Sequence, residues 1–283
     1  MYESSDGTKI DLMGSGVYAQ DPESLNASSW DYNEISGASG INKIKRFYKK
    51  TQSLNLTLDI MADSEVEFNR IMGTLRKAFD GDVRKLSPGK IWWNDYYKQA
   101  YIIETSHSDY DEIFESVTSK ITVISLYPYW LKESVSSFPA MAETTGTMDY
   151  GMSGFYDGWD YDKEMDFGQP DYVNVIHPSS VGGSNFVIIF YGPASDPSVT
   201  IGDHEYQVYD DISEGEYIIV DSLNKKIKKH KHDGTEVNDF ALRNRDSYIF
   251  EPIPDGDDIP VLKPKDLSVD IKLYNERSEP EWI

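Results

Sequence analysis

The chain of 283 residues contains no cysteine. That single absence excludes a disulfide framework, a thiolate metal site and a cysteine nucleophile. Positive charge is also scarce: 27 basic residues stand against 49 acidic ones, a net of -22. So acidic a surface repels phosphate backbones, which argues against nucleic-acid binding. The same repulsion keeps a self-associating protein soluble before it assembles. Long apolar runs are missing too. No stretch approaches the roughly 20 residues that a membrane helix needs, and the opening Met1-Tyr2-Glu3-Ser4-Ser5-Asp6 is polar and acidic, unlike a secretory leader. The expectation is a protein made in a cytoplasm, with no membrane segment. Nucleotide and hydrolase signatures are lacking as well: there is no G-x-S-x-G elbow, Walker loop or Rossmann fingerprint.

What charge there is lies unevenly. Residues 1–133 hold 15 basic and 20 acidic side chains, a net of -5; residues 134–283 hold 12 and 29, a net of -17. The contrast favours two domains, 1–133 and 134–283. The first carries one convincing helix over 64–80. Ser64 and Glu67 form a capping box, Phe68, Ile71, Met72, Leu75 and Phe79 share one face, and Gly81 is placed to end it. Leu54, Leu56, Leu58 and Ile60 alternate with polar residues, as on a half-buried strand. Val83–Trp93 reads as a hairpin turning at Ser87-Pro88-Gly89, followed by strands over Tyr96–Glu104 and Val117–Leu126. The parity change between Val123 and Ile124 hints at a bulge or at a strand buried on both sides.

Beyond a small, polar segment from Ser134 to about Gly146, the pattern is all-β. Phe186–Tyr191, Val199–Ile201, Tyr206–Val208, Tyr217–Asp221, Lys225–Lys229, Tyr248–Phe250 and Leu267–Tyr274 are short strands between turn signals, as in a sandwich or jelly roll. The fold class expected is therefore mainly β: two β-sandwich domains, the first with a helix and a hairpin.

The sites weighed for chemistry are few. Residues 149–172 form an acidic, aromatic insertion in which Tyr156, Trp159 and Tyr161 stand beside carboxylates. Aromatic plates with paired acids suit sugar binding, and glycosidases cleave with such pairs, but nothing sets a fixed separation there. The run reads first as a structured extension or partner contact, and second as a sugar contact. Asp160, Asp162 and Glu164 alternate like calcium ligands, yet the position where a calcium loop wants glycine holds Met165. His230 and His232 lack a third converging ligand for zinc. No catalytic residue, metal ligand or cofactor is assigned.

Four segments in order resemble the distal tail proteins of long-tailed, non-contractile bacteriophages. The first is the run of strands, helix and hairpin that closes at Ser125-Leu126-Tyr127-Pro128-Tyr129-Trp130; the second is Gly215-Glu216-Tyr217-Ile218-Ile219-Val220-Asp221-Ser222-Leu223-Asn224-Lys225-Lys226. The third is Ile253-Pro254-Asp255-Gly256-Asp257, and the fourth is Arg277-Ser278-Glu279-Pro280-Glu281-Trp282. The likeness runs over most of residues 40–283 and departs in the first 40 residues and in the insertion.

The resemblance implies a ring-forming belt domain followed by a galectin-like β-sandwich. It implies a homohexamer at the distal tip of a virion tail, made in the bacterial host. Its partners would be the tail tube protein, the tape measure protein, the tail-tip lysin or hub protein, and receptor-binding or baseplate proteins. DNA would pass as cargo, unbound. The alternative is a carbohydrate-binding tail-tip protein that grips cell-wall sugar through its second domain.

Candidate interface residues follow from aromatic and arginine anchors: Arg84, Lys85, Trp92, Trp93, Tyr127, Tyr129, Trp130, Arg277 and Trp282. Adjacent Trp92 and Trp93 on a strand must face opposite ways, so one is core while the other either covers the reverse face or meets a partner. The basic run Lys43, Lys45, Arg46, Lys49 and Lys50 reads as a solvated strand face or as a contact with an acidic neighbouring subunit. A Trp at the last-but-one position suggests a docked terminus.

Overall fold

The computed structural model describes residues 1–14, 16–37, 41–113, 115–141, 174–180 and 182–281. The chain divides into two compact units, Met1–Lys132 with Glu276–Ile283, and Glu133–Asn275. The class is mainly β, as expected.

In the first unit, Gln52–Met61 lies between Val17–Ala19 and Ser116–Ser125, and Ser116–Ser125 pairs in turn with the long strand Tyr96–Asp111, all antiparallel. The first residues of Tyr96–Asp111 also pair with Gly89–Trp93, which pairs with Tyr2–Glu3, so one strand serves two sheets. Alternation places Leu56, Leu58 and Ile60 of one strand and Ile121 and Val123 of its neighbour in a shared core. The expected parity change does not occur: Val117, Ser119, Ile121, Val123 and Ser125 are buried on one face, and the bulge lies in the partner strand, where Thr122 pairs with Glu104 and Val123 with Ile102.

The helix spans Glu65–Lys85. Ser64 is extended and its Oγ accepts from the Glu67 backbone N–H at 3.3 Å, half of the expected capping box. Phe68, Leu75, Ala78 and Phe79 are buried on the core face. Two expectations fail here. Gly81 does not end the helix, and Val83–Lys85 form no strand. The helix runs four residues past Gly81 because Asp82 is buried and bonded on its inner side, and it stops at Leu86 in the left-handed region, followed by Pro88. The hairpin is instead Gly89–Trp93 with Tyr96–Asp111, turning at Asn94 and Asp95 with Asn94 at φ 52°.

The second unit is a two-sheet sandwich. One sheet runs Glu236–Asn238, Lys226–His230, Tyr217–Asp221, Asn185–Tyr191, Ser268–Arg277; the other runs Asn174–Ile176, Ile259–Leu262, Ser198–Ile201, His204–Gln207. Phe186, Ile188, Phe190, Ile218 and Val220 meet Ile176, Val199, Ile201, Tyr206 and Val261 between them. Tyr248–Phe250, expected as a strand, is a run of turns whose Ile249 and Phe250 are nevertheless buried. Apolar content there reports burial without pairing.

Candidate assembly interface

The described candidate interface residues lie on several elements of the first unit. Arg84 and Lys85, expected on a hairpin with the tryptophans, sit exposed in the last helical turn, where cations favour the negative end of the helix dipole.

Trp92 and Trp93 do point opposite ways. Trp93 packs against the core. The Trp92 indole N–H donates to Glu3 Oε2 at 2.7 Å, and its ring centroid lies 5.0 Å from that of Tyr97. Lys90 Nζ lies over both rings, 5.7 Å and 4.3 Å from the centroids. Trp92 thus covers the reverse face of the sheet.

Trp130 is fully buried and belongs to the core of the first unit, so it is no surface anchor. Its ring lies 4.6 Å beneath Lys98 Nζ, which donates to the Leu25 carbonyl and to Gln52 Oε1, each at 3.0 Å. Burial, and then the nearby Lys49 charge, pull the Lys98 amine down to about 8. Tyr127 and Tyr129 lie closer to the surface with ring centroids 5.1 Å apart, and Trp30 meets Tyr129 edge-on at 6.3 Å. Lys49 Nζ sits 4.8 Å from the Tyr129 ring and 5.2 Å from that of Trp30. Burial lowers the Lys49 amine, and Glu279 opposes the shift.

The final stretch docks on this same unit. Arg277 lies 5.5 Å from the Tyr96 ring and pairs with Glu281 at 2.6 Å, Asn94 Nδ2 donates to the Glu281 carbonyl, and Pro280 is buried. Trp282 lies outside the described residues, as do Tyr156, Trp159 and Tyr161 and the acids Asp160, Asp162 and Glu164.

Sequence reasoning missed one exposed feature. Among the described residues, Asp31–Ser36 and Asn42–Tyr48 pair only with each other, as a two-stranded hairpin. Its signal was present: Tyr32 and Ile35, then Gly37 through Gly40, then Ile44 and Phe47.

A cleft of about 230 Å³ opens beside the helix, floored by Leu58, Leu75 and Ile121 with Arg76, Asp80 and His107 at its edge. His107 Nδ1 lies 2.7 Å from Ser119 Oγ, but the two residues are direct cross-strand partners and Ser119 is buried, so the bond belongs to the sheet. Among the described residues no three metal-ligating side chains converge, and no helix is long and apolar enough to cross a membrane.

No family model matches the sequence, and no curated protein matches it. Solved structures do match. The crystal structure of the Dit protein of phage SPP1, described as a paradigm of hub adsorption apparatus in phages infecting Gram-positive hosts, aligns over 98% of both chains with a TM-score of 0.60 at 10% identity. A chain of the phage P2 baseplate in its activated conformation with Ca aligns over 98% of this chain and 96% of its own, with a TM-score of 0.62 at 16% identity. The form of that baseplate with Sr agrees, with a TM-score of 0.62 over 99% of both chains. Across nearly its whole length, then, this chain has the fold of a phage Dit and baseplate hub protein.

Proposed function

We propose that the protein is a structural, non-enzymatic hub of a phage tail, a ring of six copies at the distal tip. The unit Met1–Lys132 with Glu276–Ile283 serves as the ring-forming belt, and the unit Glu133–Asn275 carries contacts to peripheral parts. On one side the ring receives the tail tube and tape measure proteins; on the other it holds the tip lysin or hub protein and the receptor-binding or baseplate proteins. DNA crosses it as cargo.

One observation carries this reading: the likeness to the SPP1 hub protein spans 98% of each chain, so both units take part. Charge supports it. A net of -22 offers phosphate no foothold, as a passage for DNA requires. The work of such a protein lies in surfaces that copies and neighbours cover.

Native mass spectrometry of the full chain, with negative-stain micrographs of the same sample, tests the proposal. The expected result is a six-copy mass and a ring with a central opening. A species that stays monomeric up to the highest soluble concentration, and is absent from tail tips labelled with antibody, removes it.

A further inference from the structure

The chain carries 49 acidic side chains, yet Lys225, Arg243 and Arg245 share one hollow of the second unit without an ion-pair partner. We infer that this hollow, formed by the 240–250 loop and the turn at Lys225, is a binding site for a phosphate ester of a sugar or polyol. It uses none of the 149–172 aromatics, and it does not depend on how many copies assemble.

Phe250 is the centre of the wall. Itself buried, it stacks on Phe240 with centroids 6.0 Å apart and meets Tyr248 edge-on, also at 6.0 Å. Phe240 and Tyr248 are exposed, the latter by 56%. The cations are held over these rings. Lys225 Nζ lies 5.6 Å from the Tyr248 centroid and 5.4 Å from that of Phe250, and it donates to the Phe250 carbonyl at 3.3 Å. The Arg243 guanidinium lies 4.1 Å from the Phe240 centroid and donates to the Phe240 carbonyl at 2.6 Å. Arg245 is exposed on the same lining.

Rings and carbonyls position these charges but do not neutralise them. Elsewhere in the unit Lys228 pairs with Glu236, Lys229 with Asp210 and Lys272 with Glu133. Among the described residues, Lys225, Arg243 and Arg245 have no carboxylate within ion-pair distance. Asp246 is the one acid in the lining, so positive charge prevails there. Lys225 also holds φ 53°, in the left-handed region that favours glycine. Backbone preference does not explain a lysine at this position; the place of its amine does.

Size and chemistry name the ligand. The hollow measures about 500 Å³, the scale of a small-molecule site, whereas a protein partner needs a far broader surface. Two guanidinium forks and an ammonium match the oxygens of a phosphate. The exposed rings of Phe240 and Tyr248 offer the sugar or polyol an apolar face beside them. A neighbouring hollow of about 290 Å³ shares Lys225 and Phe240 and adds Lys226 and Lys228, which gives charge and room for a second phosphate. A net of -17 over residues 134–283 repels any long polyanion, so the ligand is one or two phosphate units and not a nucleic acid.

Titration calorimetry of the full-length protein tests the site with glucose 6-phosphate, a two-unit glycerol phosphate oligomer, inorganic phosphate, glucose and a thymidine oligonucleotide. Both esters should bind, inorganic phosphate more weakly, and glucose not at all. Tighter binding of the oligomer identifies a chain-like source and equal binding a free sugar phosphate; either supports the site. Arg243→Gln with Arg245→Gln should weaken both esters by about tenfold or more. Lys225→Gly should do the same, and because glycine accepts the left-handed backbone there, the fold should survive, which melting checks. Lys43→Gln with Lys45→Gln removes two exposed cations of the first unit and should change nothing. Wild-type protein that binds neither ester, equal loss in the Lys43 and Lys45 variant, or an oligonucleotide that binds as tightly as the esters overturns the assignment. Each of those results leaves the ring reading standing.

Discussion

The Tyr2 hydroxyl donates to the Asp82 carboxylate, tying the second residue of the chain to the last turns of a helix eighty residues on. The other Asp82 oxygen accepts the Ser5 N–H at 2.8 Å. Both partners are buried, and burial, then Asp82 itself, hold the Tyr2 hydroxyl far above its ordinary value. Removing one partner strands the other. Tyr2→Phe and Asp82→Asn should each cost about 1–3 kcal/mol in chemical denaturation. The double variant should cost clearly less than the sum, and strict additivity would show that the two residues do not act as a pair.

Gly89 lies against that same bond. A Cβ there would stand 2.7 Å from Asp82 Oδ2 and closer still to the Tyr2 hydroxyl, whereas one on Gly81 would meet nothing within 4 Å. Gly89→Ala should destabilise by about 1–3 kcal/mol. Gly81→Ala, inside the helix, should stabilise by about 0.5–1 kcal/mol. Thermal melts of the two variants should move in opposite directions.

Lys98 makes stability depend on pH. Its amine falls from the ordinary 10.5 to about 8 in the folded chain. Between those values the unfolded chain binds more protons, so this group's contribution to stability rises with pH. Lys98→Met removes the effect. Its melting temperature relative to wild type should be highest near pH 7 and fall towards pH 10. A constant difference across that range would mean that the amine is not shifted.

In the second unit Lys229 is buried, with its Nζ 2.9 Å from Asp210 Oδ2 and 3.7 Å from Glu216 Oε2. Burial, then Asp210, raise the Asp239 carboxyl. Lys229→Met leaves these acids uncompensated and should cost about 3–5 kcal/mol. Asp239 works the other way. A raised carboxyl stabilises at low pH, and that contribution is lost as pH rises through its folded value. Asp239→Asn should therefore gain on wild type between about pH 4 and pH 7, and should recover part of the Lys229→Met loss. Equal melting at both pH values would exclude the burial effect.

Some of this protein was legible from residue order alone. Ser64 as helix cap, the apolar face from Phe68 to Phe79, and the alternation from Leu54 to Ile60 are local patterns, and they fold as their periods dictate. The sheet class of the second unit was legible for the same reason, from turns such as Gly202-Asp203 between the short runs Val199–Ile201 and Tyr206–Val208. The errors have physical sources. Gly81 lost to the buried Asp82, whose bonds hold the helix together past it. Trp130 resembled a surface anchor by type but is core, because Lys98 and its partners close over it. Of the hairpin at 31–48 only the basic strand face was read, and its pairing went unread because no core patterns it.

Composition and periodicity by themselves determined the β class, the helix that Ser64 caps and the acidic body, since each depends on neighbours within a few positions. Only the tertiary structure decided that Tyr2 reaches Asp82, that Arg277 returns to Tyr96, and that a bulge at Lys45 turns Ile44 and Phe47 to one side. Strand pairing joins residues far apart in sequence, and which partner wins is a property of the packed chain, not of any segment within it.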